Sequence, residues 1–118
     1  AMKRTVGPVG DYRHLVLAQV GALSAECAAD VLFLVEQLET EDPDPSHDCG
    51  ELDRSYSVYA CQLPDCPKWR LVVSIQARNP QAECLVHGLV SSGVGQCTAA
   101  YNLAATQLHL QHKPWDPR

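Results

Sequence analysis

The chain has 118 residues, of which 46% are apolar, and it carries a formal net charge of -5 at pH 7 with a pI of about 5.4. That length suits one domain with one modest core, and that apolar fraction excludes a globally disordered chain. The acidic balance argues against nucleic-acid binding, which needs a basic face to displace counterions. No apolar run approaches the roughly 18–20 residues of a membrane span.

The N-terminal part of the chain predicts a short lead-in and then helix. Residues 1–10 contain several turn-forming residues and are interpreted as flexible. Asp11 is a candidate N-cap, and the apolar residues that follow predict either one bent helix or two short ones. In the second case Ser24 would cap the second helix.

The helix predicted over residues 25–39 has a wider apolar surface than one buried face requires. An inward stripe at helical spacing accounts for one face, and Leu32 and Phe33 extend it. Such a helix either lies deep in a core or covers its own domain on one side and a partner on the other.

Residues 39–54 are acidic and rich in Pro and Gly, which predicts an exposed loop. Three strand patterns follow, over residues 55–63, 68–78 and 83–90, and their short links predict an antiparallel meander. In the middle strand the polar positions alternate with apolar ones, which predicts one solvated face. An Ala-rich helix over 96–111 completes a single domain over 11–113, followed by a tail at 114–118.

The order of one helix, three strands and one helix resembles the double-stranded-RNA-binding domain. In that family a Gly-x-Gly turn, here Gly93-Val94-Gly95, leads into an Ala-rich helix that ends near a Leu, here Leu108. The resemblance covers roughly residues 25–112. It implies an α+β fold of α-β-β-β-α order, a three-stranded antiparallel sheet with the helices on one face, here with an N-terminal helical extension.

The residues that grip RNA in this family are missing from this chain. RNA-binding members carry a Lys-rich cluster at the start of the second helix, where it holds phosphates. The segment from Gln96 to Asn102 contains no Lys or Arg, and losing about three phosphate contacts lowers affinity by orders of magnitude. The chain therefore resembles the protein-binding terminal domains of Staufen, the TAR-RNA-binding protein and Loquacious, whose third strand is similar to Leu85-Val86-His87-Gly88.

This resemblance implies a protein–protein interaction and homodimerisation module of a larger RNA-handling protein, in RNA silencing or double-stranded-RNA regulation. The implied partner is a Dicer-like or other RNA-processing protein, and the implied location is cytoplasmic, with the nucleus as a second location. We expect no enzymatic activity, no cofactor and no membrane association. One alternative is weak RNA binding by Lys68, Arg70 and Arg78 on an open sheet face, and another is a thiol-dependent enzyme, for example with a Cys97–His87 dyad.

Two surfaces are candidates for the interface. The third strand would lie at a sheet edge, where it could pair with a strand of a partner or of a second copy; its contact residues would be Cys84, Leu85, Val86, His87 and Leu89. The second candidate is the apolar surface of the N-terminal helices, formed by Leu15, Val16, Leu17, Leu32 and Phe33. The alternative for that surface is that the first helix folds back onto its own domain.

The six cysteines allow either disulfides or free thiols. Cys27, Cys84 and Cys97 lie within apolar patterns, where a free Cys packs as a small hydrophobe, which favours reduced thiols and an intracellular protein. A metal site is not expected, since His47, Cys49, Cys61 and Cys66 lack the paired short spacings of zinc ligands.

Overall fold

A computed structural model describes residues 3–53 and 55–110. In chain order its elements are β1 (Thr5–Pro8), α1 (Arg13–Gly21), α2 (Ala25–Leu38), β2 (Asp48–Leu52), β3 (Tyr56–Gln62), β4 (Trp69–Gln76), β5 (Glu83–Ser91) and α3 (Gln96–Gln107). Short 3-10 turns at Gly10–Tyr12 and Pro45–His47 precede α1 and β2.

The sheet has five strands, in the order β1-β5-β4-β3-β2. The meander of β3, β4 and β5 is antiparallel, as predicted. The expectation of a three-stranded antiparallel sheet is wrong, because β1 pairs in parallel with β5 and β2 pairs antiparallel with β3. Both added strands fall in segments whose Gly, Pro and acidic residues had predicted a lead-in and a loop.

The helices cover both faces of this sheet and not one face. One core cluster packs α1 and α2 against residues of β4 such as Leu71, Val73 and Ile75. A second cluster packs α3 over the opposite face, on which Val72 lies. The physical reason is that β4 is buried from Leu71 to Ile75 without a break, so both of its faces need cover from water. The predicted α-β-β-β-α layer with one open sheet face is therefore corrected to three layers, helix, sheet and helix.

The N-terminal segment forms two short helices, which decides between the alternatives of one bent helix and two. Ser24 caps α2 by accepting a hydrogen bond from the backbone N–H of Cys27 at 3.3 Å, as predicted. Asp11 does not cap α1, since it lies in the preceding turn and Tyr12 occupies the N-cap.

A buried arginine joins β1 to the rest of the molecule. Arg4 is 3% exposed, and its Nη1 donates to the carbonyl of Pro80 at 2.9 Å while its Nη2 lies 2.5 Å from the Asp42 carboxylate. Its backbone N–H donates to the carbonyl of Glu39 at 2.8 Å. These bonds hold the start of β1 between the end of α2 and the β4–β5 turn, and they place β1 along β5.

Candidate functional site

The strand predicted to pair with a partner lies inside the sheet. β5 is hydrogen-bonded to β1 on one side and to β4 on the other, so its backbone groups are already paired. Of its predicted contact residues Leu85 is half-buried, and the buried ones are Cys84, Val86, His87 and Leu89. The edge position assumed for this strand is therefore wrong.

The apolar surface predicted on the N-terminal helices is present on α2. Leu32 and Phe33 are 66% and 68% exposed, whereas Val31 and Leu38 on the opposite side of the helix are buried. Ala29 is also exposed and lies on the same outward side, at helical spacing from these two side chains. We call Leu32, Phe33, Ala29 and the similarly placed Ala25 the α2 outer surface.

The predicted residues of α1 divide between core and solvent. Val16 is buried in the core beneath the helix, so it is unable to contact a partner. Leu15 and Leu17 are 44% and 52% exposed. Two residues apart on a helix, these two side chains point to opposite flanks, so they do not form one groove. The exposed apolar residues of α1 are thus separate positions, in contrast to the continuous surface of α2.

Acidic side chains lie next to the α2 outer surface. Glu26 and Glu36 are exposed on the same helix, and Asp65 lies beside it, donating its backbone N–H to the Asp30 carboxylate at 2.6 Å. The nearby carboxylates of Asp30 and then Glu26 raise the pKa of Asp65, because a second negative charge is unfavourable there. The chain has no Lys or Arg from residue 14 to residue 53, so α2 itself supplies no compensating charge.

A cavity of about 370 Å³ lies beyond the C-terminal part of α2, between that helix and β3. Leu34, Leu38 and Cys61 give it an apolar side, and the carboxylates along its rim are those of Glu41, Asp42 and Asp44. The Asp42 carboxylate is already paired with Arg4, and that of Glu41 accepts a hydrogen bond from Gln37 at 3.1 Å. No Lys or Arg is among the described residues that line this cavity.

A buried polar network joins β4, β5 and α3. The hydroxyl of Ser74 lies 2.7 Å from Nε2 of His87, and Nδ1 of His87 lies 2.7 Å from the side-chain oxygen of Gln107. The amide nitrogen of Gln107 donates to the backbone carbonyl of His87 at 2.7 Å. Since an amide oxygen accepts, Nδ1 carries the proton of the neutral ring and Nε2 accepts from the hydroxyl.

This Ser–His–Gln arrangement has the connectivity of a catalytic triad, but it is enclosed. Ser74 and His87 are 0% exposed and Gln107 is 2% exposed, so no substrate atom reaches the hydroxyl. Burial lowers the pKa of His87, with the Gln107 hydrogen bond opposing that shift. The network therefore satisfies buried polar groups between the sheet and α3. Sequence reasoning missed Ser74 and Gln107 as members of this network. The one available signal was His87, a polar residue within an apolar strand that needs hydrogen-bond partners if it is buried.

Four of the six cysteines form disulfides, contrary to the preference for reduced thiols. Cys27 is joined to Cys66 and Cys49 to Cys97, with Cα–Cα separations of 5.3 and 5.2 Å. Cys61 and Cys84 are free and buried, and desolvation raises the pKa of each thiol to about 12. The predicted dyad of Cys97 and His87 is not formed, because Cys97 lies in a disulfide and His87 bonds Ser74 and Gln107.

The residues proposed for RNA binding have no open sheet face. Arg70 lies on the face of the sheet that α3 covers and is partly buried, whereas Lys68 and Arg78 are exposed in the turns on either side of β4. Within the described residues no group of three or more His, Cys, Asp and Glu side chains is placed to hold a metal ion.

None of the helices over residues 3–53 and 55–110 has the length and apolar character needed to cross a membrane. No family model, curated protein or solved structure gives a significant match to this chain.

Proposed function

We propose that this chain is a protein-binding module that docks a partner on the α2 outer surface. The observation that supports it is the exposure of two large adjacent apolar side chains, Leu32 and Phe33, on a helix whose inner face is already buried. Single exposed apolar residues are ordinary, but a continuous apolar surface on a folded domain is typical of an interaction site.

The surface is well placed for docking because it belongs to a rigid element. α2 is capped by Ser24 at its first turn, and the Cys27–Cys66 disulfide ties that turn to the link between β3 and β4. A partner that binds here meets a preformed helix, so little ordering entropy is lost on association.

Self-association remains part of this proposal, with a changed location. Pairing of β5 between two copies is blocked by β1, so the candidate contacts for a dimer are the edge strands β1 and β2. The predicted RNA-handling parent depended on a resemblance in layout to the double-stranded-RNA-binding domain. Helices on both faces of the sheet differ from that layout, and we carry forward the protein-binding function alone.

A selection from a random peptide library tests the docking surface even though the natural partner is unidentified. The complete chain, kept under non-reducing conditions, is immobilised and challenged with the library beside the double variant Leu32→Ser/Phe33→Ser. Both side chains are exposed, so the variant is expected to fold with stability within about 1 kcal/mol of the wild type. We expect peptides enriched on the wild type to lose binding to the variant.

The matched control is Val94→Ser, which removes an exposed apolar side chain from the turn before α3. This variant should retain every selected peptide. If no peptide is enriched, or if the selected peptides bind Leu32→Ser/Phe33→Ser as tightly as the wild type, the docking surface is assigned wrongly.

A further inference from the structure

We infer that the α2 outer surface accepts a basic amphipathic segment of another protein, with apolar anchors on Leu32 and Phe33 and Lys or Arg side chains toward the surrounding carboxylates. This inference rests on the proposed function and adds the chemical class of the partner. It is carried by the charge distribution around the apolar side chains.

The acidic residues of the chain are concentrated in the part that contains this surface. Ten of the 14 acidic residues lie between residues 14 and 53, and that segment has no Lys or Arg. The ion pairs among the described residues join Lys3 to Glu39 and Arg4 to Asp42, which leaves the carboxylates of Glu26 and Glu36 without a basic partner. Among the residues that the structure describes, no Lys or Arg is paired with these two carboxylates, so a cationic ligand would find negative charge there.

The order of residues along α2 places these charges on a line with the apolar anchor. Glu26, Asp30, Phe33 and Gln37 follow each other at steps of three or four, so they share one side of the helix. The same row continues from Gln37 to Glu41 at the rim of the 370 Å³ cavity. A long basic side chain next to an apolar anchor could lay its aliphatic stem against Leu34 and its charge near Glu41 and Asp44.

The same charges disfavour other occupants. A two-fold dimer through this surface would bring the Glu26 and Glu36 carboxylates of both copies together, since an isologous contact repeats the same patch. Anionic lipid headgroups and nucleic-acid phosphates would meet the same repulsion. A basic protein segment is the occupant whose charge and apolar content both match.

The test uses three amphipathic helical peptides with one shared apolar face and with Lys, Gln or Glu on the polar face. Binding to the complete chain is measured by fluorescence anisotropy at low and at physiological salt. We expect the Lys peptide to bind at least tenfold more tightly than the Gln peptide at low salt, with the advantage reduced by added salt. The Glu peptide should bind least.

Two variants separate charge from apolar contact. Glu26→Gln/Glu36→Gln should weaken the Lys peptide by about fivefold, as expected for two exposed charge pairs, and should leave the Gln peptide unchanged. Leu32→Ser/Phe33→Ser should abolish binding of both. If the Lys and Gln peptides bind equally well and both fail to bind Leu32→Ser/Phe33→Ser, the inference of a basic partner is wrong. The assignment of the docking surface would stand.

Two further outcomes would also overturn the inference. If neither peptide binds and the random library also yields none, the docking surface itself fails. Sedimentation analysis tests whether a second copy of this chain occupies the surface. A concentration-dependent dimer of the wild type that is absent in Phe33→Glu would show that it does.

Discussion

The hydroxyl of Ser74 on β4 and Nε2 of His87 on β5 lie 2.7 Å apart in the interior of the protein, where neither side chain touches water. The two strands are neighbours, and the side chain of Gln107 on α3 is hydrogen-bonded to the other ring nitrogen of His87. In the neutral ring Nδ1 donates to Gln107 and Nε2 accepts from the Ser74 hydroxyl. Burial disfavours the charged ring, so the stability of the packing between the sheet and α3 is linked to the neutral state of His87.

The first prediction concerns pH. Burial lowers the pKa of His87 in the folded state, whereas the unfolded chain keeps the ordinary value of about 6.5. The stabilisation from the neutral ring is therefore complete above about pH 6.5 and is lost as the pH falls from there toward the lowered folded-state pKa. The free energy of unfolding should fall by up to about 1.4 kcal/mol per pH unit in that window.

Urea unfolding of the wild type and of His87→Gln between pH 7.5 and 5.5 measures this effect. Other titrating groups contribute to both proteins, so the difference between the two slopes isolates His87. Equal slopes would mean that His87 has the same pKa in the folded and unfolded states.

The second prediction concerns Ser74→Ala. This change removes the hydroxyl that donates to Nε2 and leaves a buried acceptor without a partner, which costs about 1–3 kcal/mol of unfolding free energy. Ser91→Ala, at the exposed end of β5, should change stability by less than about 0.5 kcal/mol. Denaturant unfolding of both variants makes the comparison, and equal small losses would show that the hydrogen bond contributes nothing.

The polar network also shows which parts of the fold the sequence could predict. The polar positions of β4, among them Ser74, alternate with apolar ones and indicated a solvated face, whereas Val72 broke that alternation. Both side chains lie under α3. The burial of Ser74 depends on a hydrogen-bond partner from β5, which no local pattern within β4 reveals.

The position of β5 was unpredictable for a similar reason. Its place inside the sheet depends on a parallel pairing with Thr5–Pro8, a segment whose Gly7 and Pro8 favour a loop by local propensity. Tertiary pairing overrides that propensity. In contrast, the excess apolar width of α2 was visible in the sequence, because Leu32 and Phe33 fall outside its one inward stripe. That pattern left burial deep in a core and a second exposed surface as alternatives, and the structure has the exposed surface.

The third prediction concerns Gly88, which lies in β5 at the register shift opposite β4. Its φ of +137° is a conformation that side chains with a Cβ rarely adopt, and an added Cβ would collide with the side chain of Gln19 on α1. The Gln19 side-chain oxygen accepts a hydrogen bond from the Leu89 N–H at 3.0 Å, so moving it breaks that bond. Gly88→Ala should cost about 2–3 kcal/mol of unfolding free energy.

Gly21→Ala is the matched control for that substitution. Gly21 ends α1 with open space around its Cβ position, and Ala is a better helix former than Gly by up to about 1 kcal/mol. Thermal unfolding should therefore shift down for Gly88→Ala and stay unchanged or shift up for Gly21→Ala. If Gly88→Ala leaves the unfolding temperature unchanged, the backbone of β5 adjusts at the register shift to accommodate the added Cβ.

The fourth prediction concerns the disulfides. Alkylation of the unfolded, non-reduced chain should modify two thiols, Cys61 and Cys84, and alkylation after reduction should modify six, as read by intact mass. In the folded protein at pH 8 the two free thiols should react slowly, because they are buried and their pKa is raised to about 12. Six modified thiols without reductant would show that the disulfides do not form.

Removing the cross-link between α2 and the β3–β4 link should destabilise the whole domain. Cys27 and Cys66 are 39 residues apart, and closing a loop of that size restricts the unfolded chain by about 3–4 kcal/mol in the chain-entropy description. Cys27→Ser/Cys66→Ser should lose about that much unfolding free energy under non-reducing conditions. A reductant opens both disulfides of the wild type and the Cys49–Cys97 disulfide of the variant, so under reduction the two proteins should have nearly equal stability. If the stability difference persists under reduction, the loss comes from the packing of the two sulfurs in the core and not from the covalent bond.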